Sequence, residues 1–390
     1  MENTQDSLDL NISTIVEYDD GEWIDKYGVK YSANRKKLIE VPSEIEFYNI
    51  KVGTCVICDD AFSRNLNISD NEHSEIEQIT IPSSIIKIGN YAFSGCNKLK
   101  SIIIPDSVKI IGDGTFSFCE NLTNIIIPNS VISIGHFTFR GCIKLETFFI
   151  PHSVKLLENN PFIDCVKLEE ISVSENNEYY KSIDGVLYDN SIKTIISYPL
   201  GKREERFNLP ATVCKIGDSA FYNVRFSYIK ILFGLLEIGD SAFFGCNNLK
   251  IINIPNSVTK IGESSFCNCN NLSTIFISES IKIIPKDAFL FCRELKKIEL
   301  PYSLVEIGES AFGSCSSLTS FEIPDTTKTV GEAAFYGCYN LKYIDIPDSV
   351  TFFGEFAFQD CSDSLNIYIS SRNKYLRNRL NESGYGHLIS

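Results

Sequence analysis

Short alternating runs of apolar residues recur along the chain, and most of them end at a proline. In "LKSIIIPDSVKIIG", the alternation predicts a short strand with Ile102 and Ile104 in the core and Ile103 facing outward. Pro105 has no N–H to donate to a neighbouring strand, so it ends the strand. Gly112 is expected to allow a tight bend through a positive φ.

The same pattern returns after 23 residues in almost every case. The unit reads approximately L-x-x-I-x-I-P-x-S-V-x-x-I-G-x-x-A-F-x-x-C, and its phenylalanine recurs at 93, 116, 139, 162, 221, 243, 266, 289, 312, 335 and 358. Ten of the fourteen cysteines follow the same period, at 96, 119, 142, 165, 246, 269, 292, 315, 338 and 361. An acidic residue and a serine often follow the glycine, which favours the capped start of a short helical turn. Self-similarity at a fixed period of this length is typical of a solenoid.

This repeat resembles the BspA-like leucine-rich repeat family. The resemblance rests on "LKSIIIPDSVKIIGDGTFSFC", "LKIINIPNSVTKIGESSFCNC" and their siblings, and it covers about residues 27–390. It implies a repeat solenoid, a leucine-rich-repeat right-handed superhelix with a parallel β-sheet on the concave face and short turns or helical turns on the convex face. β-Hairpins beside the arrays, and adhesion to host or neighbouring-cell proteins at cell surfaces, are further properties that the resemblance implies.

The period breaks between Phe162 and Phe221, where the segment "DGVLYDNSIKTIISYP" predicts a hairpin that matches "YGVKYSANRKKLIEVP" near the start. Near the end, helical spacing begins at Asn373 and Gly384 suits the end of a helix; a last strand, "HLIS", is expected after it. The expected organisation is an N-terminal segment or edge strand at 1–26, a first module at 27–173 (hairpin 27–46 and about five coils), a second module at 174–360 (hairpin insertion 174–206 and about seven coils), and a C-terminal cap of strand and helix at 361–390.

Composition and charge narrow the class of protein. The chain is 44% hydrophobic with a net charge of −14, which indicates a folded protein and argues against nucleic acid as a partner, since phosphate binding needs a basic patch. No apolar run approaches the ~20 residues of a membrane-spanning helix, so no membrane insertion is expected. The N-terminus "MENTQDSLDLNISTI" has no Lys or Arg and no signal pattern, so a cytoplasmic location is expected. The alternative is a cell-surface or secreted protein exported by a non-standard route.

No residue constellation predicts catalysis, a cofactor site or a metal site. Cys55-x-x-Cys58 lacks the second pair that a zinc site needs, and the serines of "GDSAF" and "GESAF" recur too often to be a nucleophile. The acidic residues after the glycines are interpreted as a solvated stripe; they are Asp113, Asp218, Asp240, Glu263, Glu309 and Glu332. The histidines, His73, His136, His152 and His387, show no ligand spacing. Glycosylation triplets occur at Asn67, Asn121 and Asn271, of which the last two directly precede buried leucines. The recurring cysteines are predicted to be buried and reduced.

The outward positions of the short strands are the candidate partner-binding residues. In the first module they include three adjacent apolar residues, Ile103, Ile126 and Phe149. In the second module they include Phe276 and three adjacent acids, Glu299, Glu322 and Asp345. Stacked exposed apolar residues form a patch, although β propensity alone also favours Ile and Phe in a sheet. The sequence therefore predicts a non-enzymatic protein–protein interaction module that uses the concave face. The alternative is a surface adhesin for host or neighbouring-cell proteins. Self-association through an edge or the concave face is a further expectation.

Overall fold

A computed structural model describes residues 21–63 and 74–390, and within these ranges the chain is a parallel-strand β-solenoid of about 14 turns with almost no helix. It divides into two compact units. Unit 1 comprises the residues up to Ser191 together with Pro199–Lys202, and unit 2 comprises Ile192–Tyr198 and Arg203–Ser390. The boundaries of the predicted modules stay a prediction. The proposed edge strand at 1–26 and the candidates Asn67 and His73 lie wholly or partly outside the described residues.

Most turns of the solenoid contribute two strands. In unit 1 the strands are β1 (Glu22–Ile24), β2 (Lys30–Ser32), β3 (Lys37–Glu40), β4 (Phe47–Asn49), β5 (Val56–Ile57), β6 (Gln78–Thr80), β7 (Lys87–Ile88), β8 (Ser101–Ile103), β9 (Ile110–Ile111), β10 (Asn124–Ile126), β11 (Ser133–Ile134), β12 (Thr147–Ile150), β13 (Leu156–Leu157), β14 (Glu170–Val173), β15 (Tyr180–Ile183) and β16 (Val186–Asp189). In unit 2 they are β17 (Thr194–Ser197), β18 (Arg206–Asn208), β19 (Lys215–Ile216), β20 (Tyr228–Lys230), β21 (Glu237–Ile238), β22 (Ile251–Asn253), β23 (Lys260–Ile261), β24 (Thr274–Phe276), β25 (Ile283–Ile284), β26 (Lys297–Glu299), β27 (Glu306–Ile307), β28 (Ser320–Glu322), β29 (Thr329–Val330), β30 (Tyr343–Ile346), β31 (Phe352–Phe353) and β32 (Asn366–Ile369).

These strands form two faces in each unit. Apart from the strands of the two hairpin regions (β1–β3 and β15–β17), the strands of three or four residues form the long-strand face, where they pair in parallel with counterparts one turn away, as in Ser101↔Asn124 and Ile103↔Ile126. In the three-residue strands of this face the middle residue points inward and its neighbours point outward; Ile102, for example, is 5% exposed. The two-residue strands form the short-strand face, with longer strands of the hairpin regions at its edge, in the order β1-β2-β3-β5-β7-β9-β11-β13 in unit 1 and β17-β19-β21-β23 and β25-β27-β29-β31 in unit 2.

A column of stacked phenylalanines fills the interior of each unit. The rings of Phe116 and Phe139 lie 5.8 Å apart between centroids with 9° between their planes, and Phe266 and Phe289 lie 5.5 Å apart at 9°. Phe62 extends the column of unit 1 by one turn, 4.6 Å from Phe93. Such aromatic pairs add about 0.5–1.5 kcal/mol each beyond the area they bury, so the column holds successive turns together.

The prediction that the repeat glycine allows a tight bend through a positive φ is wrong. Gly112 has no positive φ; instead, a Cβ at this position would lie 2.8 Å from the backbone nitrogen of Asn90 in the preceding turn. The glycine is therefore required by the close approach of successive turns. The left-handed conformation occurs two residues later, at Gly114 (φ 56°) and at equivalent serines such as Ser241 (φ 51°) and Ser264 (φ 51°).

The predicted capping role of those serines is also wrong. The left-handed backbone of Ser241 and Ser264 differs from the extended backbone of a helix cap, and the segment that follows is a series of turns without a helix.

The first hairpin is anchored by a buried carboxylate. β1, β2 and β3 pair antiparallel. Asp25, whose side chain is 1% exposed, accepts hydrogen bonds from the backbone N–H groups of Tyr27 (2.8 Å) and Val29 (3.1 Å) and from the Tyr48 hydroxyl (2.7 Å), and Lys51 Nζ lies 3.5 Å away. Burial opposes ionisation of Asp25, but these hydrogen bonds and the Lys51 charge outweigh it and lower the pKa of the carboxyl.

The second hairpin and the C-terminus bring other elements against the array. β15 and β16 pair antiparallel, and the N–H of Ile171 in β14 donates to the Gly185 carbonyl at 2.9 Å. At the C-terminus, helix α1 (Lys374–Glu382) buries Leu376 and Leu380 and is capped by the side chain of Asn373. Where "HLIS" was expected to form a strand, Gly386–Leu388 forms a 3-10 turn, and Ile389 makes a single bridge to Ile367.

Candidate functional site

Three apolar side chains project from the long-strand face of unit 1. Ile103 is 84% exposed, Ile126 is 72% exposed and Phe149 is 51% exposed. Ile103 and Ile126 are direct partners in the β8–β10 pair, and Phe149 occupies the equivalent outward position of β12, the next strand along. We call these three residues the apolar strip.

The apolar strip is not a requirement of the sheet. Thr80 occupies the same outward position on β6 and is exposed. Ser172, the partner of Phe149 on β14, uses its hydroxyl to bond the Phe148 carbonyl at 3.3 Å. Because polar residues are accommodated at this position on either side, the apolar residues of the strip do not form part of the core.

In unit 2 the outward positions of the long-strand face carry the acidic candidates. Phe276, 50% exposed, is the strand partner of Glu299, and Glu322 is the partner of Asp345. Lys297 Nζ lies 2.8 Å from Glu299 Oε1, and this hydrogen bond and ion pair lower the pKa of Glu299. The predicted partner-binding residues therefore form two groups. The apolar strip lies in unit 1, and Glu299, Glu322 and Asp345, which we call the acidic column, lie beside Phe276 in unit 2.

Two tyrosines next to the acidic column were missed by the sequence interpretation. Tyr368 is the strand partner of Asp345, and its ring centroid lies 4.7 Å from that of Tyr343. Burial first, and then the charges of Asp345 and Glu322, raise the pKa of Tyr343. The alternation in "YIDI" and "NIYI" was the signal that could have identified both residues.

The acidic stripe after the repeat glycines has a structural role. Asp113 Oδ1 accepts the backbone N–H of His136 one turn later at 2.7 Å, and Asn90 Oδ1 accepts that of Asp113 at 2.9 Å. Unit 2 repeats the contact, since Asp240 Oδ1 accepts the N–H of Glu263 at 2.9 Å. The side chains of Asp113 and Asp240 thus satisfy backbone donors of the next turn.

The recurring cysteines donate hydrogen bonds from one turn to the one before it. Each Sγ reaches the carbonyl oxygen of the column phenylalanine 25 or 26 residues earlier, at 3.0–3.2 Å, in Cys119, Cys142, Cys165, Cys246, Cys269, Cys292, Cys315, Cys338 and Cys361. Burial raises the pKa of Cys142 and Cys269 to about 12, which makes both poor nucleophiles at neutral pH. All fourteen cysteines are free thiols in the structure.

The remaining candidates are Cys58 and the asparagines of the glycosylation triplets. Burial raises the pKa of Cys58. The amides of Asn121 and Asn271 donate to the carbonyls of Asn97 (2.6 Å) and Asn247 (2.7 Å), so both triplet asparagines serve the stacking of the turns. Within residues 21–63 and 74–390, no group of three His, Cys, Asp or Glu side chains is placed to hold a metal ion. In the same ranges no helix is long and apolar enough to cross a bilayer.

Comparisons with known proteins agree with this geometry. The family profile described as "BspA type Leucine rich repeat region" matches in six copies, over residues 67–194, 201–301 and 282–382. A leucine-rich repeat protein of Eubacterium ventriosum is 26% identical, with a TM-score of 0.73 over 84% of this chain and 85% of its own. A leucine rich cell surface protein of Faecalibacterium prausnitzii (24% identity, TM-score 0.54, 93% and 98% coverage) and the pneumococcal vaccine antigen PcpA (20%, 0.60, 96% and 99%) share the fold. A search of curated protein sequences finds no significant match.

Proposed function

The chain belongs to the BspA-type leucine-rich repeat family, whose members are typically protein-interaction and non-enzymatic modules, and from this premise we propose that it binds another protein through its long-strand face. In this proposal the long-strand face is the concave side that the family resemblance implies. Its regular rows of outward side chains offer a broad surface, which suits recognition of a macromolecule.

The apolar strip is the observation that carries the proposal. Ile103, Ile126 and Phe149 keep half or more of their surface exposed on consecutive strands, at a position where Thr80 shows that a polar residue is tolerated. Exposed apolar patches on soluble proteins mark interaction surfaces more often than scattered single residues do, and apolar anchors carry most of the energy of an interface. In this proposal the strip is the anchor.

The acidic column is a second proposed surface, and it lies on the long-strand face of unit 2. Glu299 already has Lys297 as an ion-pair partner, whereas Glu322 and Asp345 lie beside Tyr343 and Tyr368. Exposed charges of this kind steer association and set the choice of partner more than they add affinity. We therefore assign affinity to the apolar strip and selectivity to the acidic column.

The test compares two triple variants in quantitative affinity purification from native lysate. Ile103→Ser/Ile126→Ser/Phe149→Ser is expected to keep the free energy of unfolding within about 1–2 kcal/mol of wild type, as surface changes usually do, and to lose the specific partner. Glu299→Ser/Glu322→Ser/Asp345→Ser is the matched control on the long-strand face of unit 2 and is expected to retain the partner more weakly. Retention of the same partners by the apolar variant at wild-type level would exclude the strip as the anchor. Sedimentation velocity of both variants tests whether the partner is a second copy.

The free thiols favour a reducing compartment as the place of action. Nine of the recurring cysteines donate their S–H groups to carbonyl oxygens, and disulfide formation would remove these hydrogen bonds. Fractionation of the native cell, with thiol counting of the recovered protein, separates an intracellular module from the surface adhesin that the family resemblance offers as the alternative. Recovery in the cell-surface fraction would favour the adhesin.

A further inference from the structure

One row of outward residues changes the sign of its charge along the long-strand face of unit 2. The third residue of each strand from β18 to β30 is exposed, and in chain order these residues are Asn208, Lys230, Asn253, Phe276, Glu299, Glu322 and Asp345. Phe276 lies in the middle of the row, with Lys230 two turns before it and Glu322 two turns after it. The row is therefore positively charged on one side of Phe276 and negatively charged on the other.

The two charges nearest to being symmetric about Phe276 are not neutralised within the chain. Lys230 and Glu322 make no ion pair in the part of the chain that the structure describes, whereas Glu299 is paired with Lys297 at 2.8 Å. A twofold axis brings residue i of one copy to residue j of the other, and residue j to residue i. Unpaired charges of opposite sign at equal distances from a common centre therefore make a surface complementary to itself.

We propose that two copies of this chain associate through the long-strand faces of unit 2, about a twofold axis that runs along β24. Such an axis reverses the order of the turns and keeps the position within each strand. Lys230 of each copy then lies opposite Glu322 of the other, and the two Phe276 rings lie together at the axis. The inference rests on the acidic column being a binding surface, as proposed above, and is independent of the apolar strip.

The residues three turns from β24 fit the same axis. It brings three further pairs together, Glu205 with Lys342, Arg206 with Tyr343, and Asn208 with Asp345. These pairs are an ion pair, a cation–π contact and a hydrogen bond to a carboxylate. Among the outward residues of β18–β30 and the residue that precedes each strand, the one like-charge pair is Lys250 with Lys296.

The size of the matched surface indicates a weak dimer. β18 and β30 are six strand spacings apart, about 29 Å at ~4.8 Å each, and the outward residues cover about 10 Å along a strand. A contact of this size buries less than the ~800 Å² per partner of a standard interface, so the dimer forms at high protein concentration. On a concave face the outer turns meet first, and these turns carry the long charged side chains. Phe276 has the largest outward side chain of the row and lies in the middle, where the gap between two concave faces is widest.

Sedimentation velocity of the purified full chain over a wide range of concentrations tests this inference. Wild type is expected to be a reversible dimer whose dissociation constant rises with added salt. Lys230→Glu and Glu322→Lys each place like charges opposite one another at two symmetric positions, so each alone is expected to raise the dissociation constant about tenfold. An equimolar mixture of the two variants restores both opposite-charge pairs, and its heterodimer is expected to form within about threefold of the wild-type dissociation constant.

Lys250→Glu is the matched control, because it makes the same change of charge one turn away from Lys230. It converts the like-charge pair with Lys296 into an opposite-charge pair, so it is expected to lower the dissociation constant about threefold. All the altered side chains are exposed, so the fold is retained.

A wild type that stays monomeric, or a mixture that associates no better than the single variants, would overturn the inference. Equal weakening by Lys230→Glu and Lys250→Glu would also overturn it, because net charge alone would then explain the effect. These measurements use only the purified chain, so their outcome is separate from the capture of a lysate partner by the apolar strip.

Discussion

The thiol of Cys119 donates to the carbonyl oxygen of Phe93, 26 residues earlier, at 3.1 Å. The same carbonyl accepts the N–H of Cys96 at 3.2 Å, so one phenylalanine oxygen joins its own turn to the next. A cysteine is small enough for this interior corner and still brings a donor, which alanine would not. The cysteine column is thus a set of contacts between turns, each dependent on the protonated thiol.

We expect the free energy of unfolding to fall as the pH rises above about 9. Burial raises the pKa of Cys96, Cys142 and Cys269 to about 12 in the folded protein, whereas an unfolded thiol ionises at about 8.5. Because the pKa is higher in the folded protein, each thiol contributes to the free energy of unfolding, and this contribution is fully present below the unfolded pKa. It is lost as the pH rises through the folded pKa, by up to about 1.4 kcal/mol per pH unit for each thiol. Urea unfolding between pH 8 and 11 in reductant measures this slope. Cys142→Ala/Cys269→Ala should reduce the slope by two thiols, and an unchanged slope would contradict the assignment.

Gly112→Ala is expected to destabilise the chain by about 3 kcal/mol, since its Cβ would press on the backbone of Asn90 and force two turns apart. Gly95→Ala is the matched control. Gly95 has a φ of 72° but open space around the position of a Cβ, so only conformational strain of about 1 kcal/mol is expected. Equal losses in chemical denaturation would show that backbone conformation, and not the spacing of the turns, selects the repeat glycine.

Phe289→Ala is expected to loosen unit 2 locally. Its ring stacks between Phe266 at 5.5 Å and Phe312 at 5.4 Å, and removing a buried ring of this size costs about 3–5 kcal/mol. Because each turn contacts only its neighbours, faster hydrogen exchange should be confined to about residues 266–312. Uniform loss of protection over both units would instead reveal a single cooperative unit.

Asp25→Asn is expected to destabilise the first hairpin at neutral pH and to matter little in acid. The folded pKa of Asp25 is lowered, so its contribution is present above the unfolded pKa of about 3.9 and is lost as the pH falls through the folded pKa. At pH 7 we expect a loss of about 1.5–3 kcal/mol, the range for hydrogen bonds to a charged group, and convergence of variant and wild type at lower pH. Hydrogen exchange of residues 22–40 from pH 2 to pH 7 measures it; a difference independent of pH would show that the charge is not what Asp25 contributes.

Much of the architecture was determined by the sequence itself. The 23-residue spacing of Phe116, Phe139 and their equivalents fixes a stack of like turns, because each turn buries its apolar face only against another copy. The outward register of Ile103 and Ile126 followed from alternation, since a strand has a side-chain period of two. The C-terminal helix followed from its spacing and from Asn373, whose side chain caps it.

Contacts between turns were decided only by the tertiary structure. The sequence predicts a bend at Gly112 and a solvated acid at Asp113, but both residues contact an adjacent turn. Gly112 leaves room for the backbone of Asn90, and Asp113 accepts the N–H of His136. Such roles depend on atoms 22 or 23 residues away that only stacking brings within 3 Å. The periodic sequence specifies the structure of each turn. The close packing of successive turns determines the role of the glycines and polar residues within a turn.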